Sequence, residues 1–183
     1  MSYSMPRGLS LLELLITMAI STIIFGITIP VMAGFISQNH IAAQVNSLRT
    51  SLDLTRSVAI KENKHAVICK SGDGEFCSRK GEWDQGWIVF VDDNHDRRRS
   101  EDERLVLAQG SLPKNTQLRY RGFGSRHYVA YWPMGFTKTN GTFTICNPAV
   151  PDRSKALILR KTGRVRLSDT LPGAKPIKCT YGG

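Results

Sequence analysis

Acidic residues almost vanish from the last part of this 183-residue chain: residues 104–183 hold two Asp/Glu against 14 Lys/Arg. Histidines are few, and His40, His65, His95 and His127 are scattered. No serine or cysteine sits in an elbow or triad pattern, so recognisable nucleophilic catalysis is excluded. C-x2-C spacing is missing, which removes the usual zinc sites. Helix-turn-helix, zinc-finger and RNP-type aromatic motifs are missing too, so base-specific readout has no carrier. There is no internal repeat and no long low-complexity linker. No cofactor or metal is expected.

Charge is also lacking from Leu9 to Ile36, where Glu13 is the sole ionisable side chain. About 20 apolar residues in a helix span a bilayer core, so the run is long enough for one pass. It differs from a secretory signal, whose apolar region is shorter and ends at an Ala-x-Ala-like site. The leader is short and polar, Met1 to Gly8, and ends in Pro6-Arg7-Gly8. A plain anchor would leave Glu13 unexplained, because an ionisable group inside a bilayer costs several kcal/mol.

Gly8-Leu9-Ser10-Leu11-Leu12-Glu13-Leu14-Leu15 resembles the class III prepilin signal of type IV pilins and type II secretion pseudopilins. The resemblance implies cleavage by the prepilin peptidase after Gly8 and methylation of the new N-terminal Leu9, where the family usually has Phe. Glu13 becomes the fifth mature residue. A buried carboxylate needs a cation, and the α-amino group of a neighbouring subunit's Leu9 supplies one, which makes Glu13 an assembly residue. Pro30 falls where pilin helices commonly kink. The implied partners are the peptidase, other pilins in the filament and, before assembly, the inner membrane crossed once. The head is then in the periplasm or outside the cell.

Beyond the apolar run, Ile41, Val45, Leu48, Leu52, Thr55 and Ala59 recur at steps of four and three, the stripe of an amphipathic helix. A helix is expected over about 9–62, its stripe covered by a sheet. Short β-like runs follow: His65–Lys70, Gly86–Val91, Glu103–Gln109, Thr116–Arg121, Tyr128–Trp132, Thr142–Cys146, Ala156–Lys161 and Val165–Ser168. The expected class is α+β, the pilin layout of one long N-terminal helix packed on an antiparallel sheet. Its parts are a leader (1–8), a transmembrane and assembly helix (9–36), an amphipathic continuation (37–62) and one small head (63–183). Cys69, Cys77, Cys146 and Cys179 point to an oxidising compartment. Three connectivities are possible, and Cys69–Cys77 with Cys146–Cys179 is preferred because each pair closes a local loop.

The head resembles the GspH/FimT group of minor pilins and pseudopilins through Gly86-Trp87-Ile88-Val89-Phe90-Val91-Asp92, the following Asn94, Asp96 and Glu103, and the late Gly163-Arg164-Val165-Arg166. Asp92, Asn94, Asp96 and Glu103 also match positions 1, 3, 5 and 12 of an EF-hand-like calcium loop. Position 6 is Arg97 rather than Gly, and Arg98 and Arg99 add positive charge. A solvated hairpin loop with internal ion pairing is the better reading.

The excess of cations in residues 104–183 is the footprint of a polyanion-binding face. If Ala156–Lys161 pairs with Val165–Ser168 across a Thr162-Gly163-Arg164 loop, Leu157, Leu159, Val165 and Leu167 share the buried side. Arg160 and Arg166 then oppose one another, with Arg164 at the tip. Like charges across a strand pair destabilise it, and phosphate is their obvious counter-ion. In the FimT branch linked to natural transformation, a Gly-Arg-x-Arg motif near the C-terminus is associated with DNA binding, and Arg164 and Arg166 match its arginines. That resemblance implies non-specific DNA binding by Arg164 and Arg166, supported by Arg160, Lys161, Lys175 and Lys178. Phe123, Tyr128 and Tyr131, near Arg119, Arg121 and Arg126, are candidates for base stacking. Two alternatives without DNA binding stay open: a structural minor pilin that primes assembly, and a GspH-like secretion pseudopilin.

Overall fold

A computed structural model describes the chain from Ser10 to Cys179, leaving out the side chains of residues 27–38. It divides into two compact units, Met1–Asn39 and His40–Gly183. One helix, α1 (Leu11–Glu62), begins in the first and ends in the second. Gly8 and Leu9, the expected processing positions, lie outside the described residues, as does the Pro30 side chain.

In the first unit Glu13 occupies the first turn of α1, where a carboxylate complements the positive end of the helix dipole. Leu11, Leu12, Leu15, Ile23 and Phe25 are exposed around it. The hydroxyls of Thr17, Ser21 and Thr22 donate to the carbonyls of Leu14, Thr17 and Met18. This local back-bonding satisfies hydroxyls without water. Among the described residues no helix is long and apolar enough to cross a membrane. Residues 27–38, which complete the expected span, are not among the side chains described.

In the second unit the expected stripe is the buried side of the helix: Ile41, Val45, Leu48, Leu52, Thr55 and Ala59 are each at most 3% exposed. The polar members are satisfied. Thr55 Oγ1 donates to the Ser51 carbonyl, and Ser51 Oγ accepts from the Trp87 indole N–H at 3.0 Å.

The strands are β1 (His65–Lys70), β2 (Trp87–Asp92), β3 (Leu105–Gln109), β4 (Gln117–Gly122), β5 (Tyr128–Tyr131), β6 (Gly141–Cys146), β7 (Lys155–Leu159) and β8 (Val165–Ser168). They form two antiparallel sheets, ordered β3-β2-β1-β5 and β4-β6-β7-β8. Alternation gives each sheet an inner face. Ile68, Val89 and Val129 of the first, and Leu118, Phe143 and Leu157 of the second, join the helix stripe in one core. Trp83 closes it. Its indole N–H donates to the Arg126 carbonyl at 3.0 Å, and its ring stands edge-on to Phe143 at 5.0 Å. Tyr120 stacks on Phe143 at 4.2 Å and lies over the paired Gly122 and Gly141, where any added Cβ would come within 2.5 Å of its hydroxyl.

The outer face of the first sheet is also apolar. Val67, Cys69, Ile88 and Phe90 are fully buried there, with Tyr128 and Cys77 against them. Both disulfides have the expected pairing, Cys69–Cys77 and Cys146–Cys179.

The acidic β2–β3 loop differs from expectation in how it is held. Glu103 accepts from the Asp93 and Ser100 amides at 2.9 and 3.0 Å, and Asn94 accepts from the Asp96 amide. No ion pair among the described residues joins Arg97, Arg98 or Arg99 to the loop's acids. Amides are nearer and already ordered, so the carboxylates take them. Arg97 itself adopts the left-handed turn, φ 63, that sequence reasoning reserved for glycine. Burial, then Glu103 and Asp96, push the Asp92 carboxyl above its ordinary range, against the opposing Arg97 amide. No group of three or more His, Cys, Asp or Glu among the described residues could hold a metal ion.

Candidate nucleic-acid interface

The face expectation for the last hairpin holds, but its register differs. Leu157, Leu159, Val165 and Leu167 share one side, with Leu157 opposite Leu167 and Leu159 opposite Val165. Arg166 therefore faces Ile158 rather than Arg160, and Arg160 is bonded to Arg164 instead. The loop is Lys161-Thr162-Gly163, one residue earlier than expected. Gly163 takes φ 76 at its last position, the left-handed place a three-residue hairpin loop assigns to glycine. A Cβ there would lie 2.0 Å from the Gly135 carbonyl oxygen. Sliding by two residues preserves each side chain's face, so alternation alone cannot separate the two registers. Leu167, on the edge strand, is 43% exposed, which departs from the expected burial.

The hairpin tip is anchored from below. The Thr137 amide donates to the Lys161 carbonyl at 3.0 Å, and Arg56 Nε donates to the Gly135 carbonyl at 3.0 Å. Arg160, Arg164 and Arg166 all lie on the outer face of the second sheet and are exposed.

Two further arginines share that face. Leu118 and Tyr120 turn inward, so Arg119 and Arg121 turn out. The register aligns Arg121, Thr142, Ile158 and Arg166 in one row across all four strands. Three strand spacings separate the end members, about 14 Å. Sequence reasoning had named Arg119 and Arg121 only as neighbours of aromatic rings. The alternation Leu118-Arg119-Tyr120-Arg121 was the signal for their direction, but the strand order was needed to bring them to Arg166.

The C-terminal tail returns over the same face, tied to β6 by Cys146–Cys179 and turned by a Leu171–Lys175 bridge. Between tail and sheet lies a cavity of about 510 Å³, with Arg119 and Arg121 on the sheet side and Lys175 and Lys178 on the tail side. None of these seven cations, nor Lys161 at the tip, forms an ion pair among the described residues. Burial, then Glu82, push the nearby Asp84 carboxyl up, while Arg119 draws it down. The region's Asp169 is taken by Lys155. The result is a cationic face whose members form no ion pair among the described residues, suited to a polyanion.

The three aromatics sort clearly. Tyr131 is fully buried, and Tyr128 is half-buried with Arg97 over its ring. Phe123 alone of the three is open, at 79% exposure.

A long N-terminal helix whose second half is buried against antiparallel sheets, with a prepilin-type start, defines the pilin fold. The chain belongs to the family of the Type II transport protein GspH, whose family model matches residues 44–163. The Prokaryotic N-terminal methylation motif matches residues 4–29. The fold is similar to that of the type IV minor pilin FimU of Pseudomonas aeruginosa, with TM-score 0.54 and 18% identity over 73% of this chain and 92% of that one. It is also similar to the minor pseudopilin EpsH from the Type 2 Secretion System of Vibrio cholerae, with TM-score 0.50 and 14% identity over 73% and 98%. No curated protein matches the chain. The protein is a minor type IV pilin or pseudopilin of the GspH type, a structural subunit rather than an enzyme. Its N-terminal motif is that of membrane-anchored subunits that pass into a filament.

Proposed function

We propose that this subunit presents its head on a pilus outside the cell and binds DNA there without sequence preference, in support of DNA uptake. The observation that carries the reading is the outer face of the second sheet. Arg119, Arg121, Arg160, Arg164 and Arg166 share it, the tail adds Lys175 and Lys178, and none of them has an ion-pair partner among the described residues. Arg164 and Arg166 act as phosphate clamps, because guanidinium forks match phosphate oxygens. Gly163 supports them through the turn it alone permits. Glu13 contributes at the other end, pairing with a neighbour's N-terminal amine during assembly.

Phosphate contacts release counter-ions, so binding weakens steeply with salt. The test is a titration of the full chain in detergent with duplex DNA at two salt concentrations. Arg164→Gln with Arg166→Gln should weaken binding at least about 10-fold and lower the salt slope by about two. Unchanged binding, or no binding by the wild type at low salt, favours a structural minor pilin or secretion pseudopilin instead.

A further inference from the structure

The cationic cavity beneath the tail does not end at Arg121. A shallower cavity of about 340 Å³ shares Arg121 and Thr142 with it and has Phe123 and Ile158 on its walls. That one shares Gly122 with a third, of about 650 Å³, which opens beside the Cys69–Cys77 disulfide. Chain connectivity explains the sequence: β4 carries Arg119 and Arg121 on its outer side, Gly122 ends it, and the following turn delivers Phe123 and Arg126.

The third cavity has a charge pattern of its own. Arg79, Arg97, Arg98, Arg126 and His127 line it, with Asp96 as the acid among the lining residues. None of these arginines forms an ion pair among the described residues. Asp96 is already engaged by the Arg98 amide at 2.7 Å. His127 Nδ1 is buried with no hydrogen-bond partner. Burial first, then Lys70, Arg79 and Arg126, hold the His127 imidazole below its ordinary value, with Glu82 opposing them. Burial and the neighbouring cations thus both disfavour a charged imidazole here.

We infer that the three cavities form one groove for a single nucleic-acid strand, with phosphates held by Arg79 and Arg126 at one end and by Arg119, Arg121 and Lys178 at the other, and a base stacked on Phe123 between them. The inference rests on the nucleic-acid reading of the second sheet's outer face and narrows its ligand. Cavities of 340–650 Å³ are on the scale of small-molecule sites, too narrow for a duplex. An exposed aromatic between cationic walls is the arrangement that binds single strands without sequence preference. Phe123 is held in place for this task, since its amide donates to the Asn140 carbonyl at 2.9 Å while its ring stays open. Arg164 and Arg166, which line none of the three cavities, are left to contact duplex and single strand alike.

The test compares a labelled single-stranded oligonucleotide with its own duplex by fluorescence anisotropy, using the full chain in detergent. Phe123→Ala should weaken single-strand binding about 5- to 10-fold, the loss of one stacked base, and leave duplex binding unchanged. Arg79→Gln with Arg126→Gln should likewise weaken the single strand more than the duplex. Arg164→Gln with Arg166→Gln should weaken both. If single-strand binding survives both groove variants while the Arg164 and Arg166 change reduces it, the groove is overturned and the DNA reading stands. If the wild type binds neither probe, both fall.

Discussion

The two sheets of the head treat their outer faces in opposite ways. The first is apolar there: Val67, Ile88 and Phe90 are fully buried, Arg99 stands over Phe76 of the disulfide loop at 5.7 Å, and a cationic cavity opens only at its Cys69 and Tyr128 end. Its flanking loops carry most of the head's acids, and many have partners. Asp73 takes the Glu75 and Phe76 amides, Glu103 the Asp93 and Ser100 amides, and Asp93 the Lys64 ammonium at 2.8 Å. The second sheet's outer face is cationic and spanned by a tail, with its arginines unpaired among the described residues. Charge that is neutralised internally belongs to the folding of a loop. Charge left without an internal partner stays available to an external one, and its concentration on this face is what points to a polyanion.

The disulfides offer the largest way to break this contrast, since each serves one sheet. Cys69–Cys77 closes a span of eight residues and Cys146–Cys179 one of 33. Loop-closure entropy makes the longer crosslink worth more, about 3–4 kcal/mol against about 2–3. Urea denaturation of the paired serine variants should rank them in that order. Loss of the longer crosslink should also lower DNA affinity, because it frees Lys175 and Lys178 from the cationic face. Equal affinity with and without it would remove the tail from the proposed site.

The next effect is at Gly163. Alanine there must accept φ 76 and a Cβ 2.0 Å from the Gly135 oxygen, for a cost of about 2–3 kcal/mol. Gly173 is the control, with a similar φ of 81 and nothing within 4 Å, so alanine should cost only about 1 kcal/mol. Equal thermal shifts for the two variants would deny Gly163 its anchoring contact.

Gly163 also marks where the sequence stopped being legible. All eight strands and the helix stripe could be read locally: burial on one face imposes alternation or a step of three to four, and β1 and β2, buried on both faces, show as apolar, β-branched runs. The facing of Arg160, Arg164 and Arg166 followed from the same alternation. Their pairing did not, since a two-residue slide leaves every face intact and only the backbone need of Gly163 selects the register. The cavity beneath the tail was further out of reach. Arg119 and Lys178 are 59 positions apart, and they meet through a strand order that local pattern does not encode. Cysteine spacing was a better guide, because two short spans favoured one pairing of the three.

The smallest effect separates two acids on the loops flanking the first sheet. Amides of Phe76 and Glu75, then the Ser71 hydroxyl, hold the Asp73 carboxyl below its ordinary value. A depressed carboxyl stabilises the fold above its unfolded value of about 3.9, and that contribution is lost as pH falls through the folded value. Asp73→Asn should therefore cost about 0.5 kcal/mol near neutrality, modest because the group is exposed, and nothing in strong acid. Asp92 is the opposite case: fully buried, with Oδ2 lacking a partner, and pushed up first by burial. Its native state prefers the neutral form, so stability falls as pH rises from the unfolded value through the folded one. Asp92→Asn should accordingly gain on the wild type as pH rises from about 3 to about 7, while Asp73→Asn loses ground over the same range. Thermal midpoints of the three proteins across that range check both signs. Parallel curves would mean that the two carboxylates share one environment, and that the apolar face does not distinguish an amide-held acid at its rim from one buried beneath it.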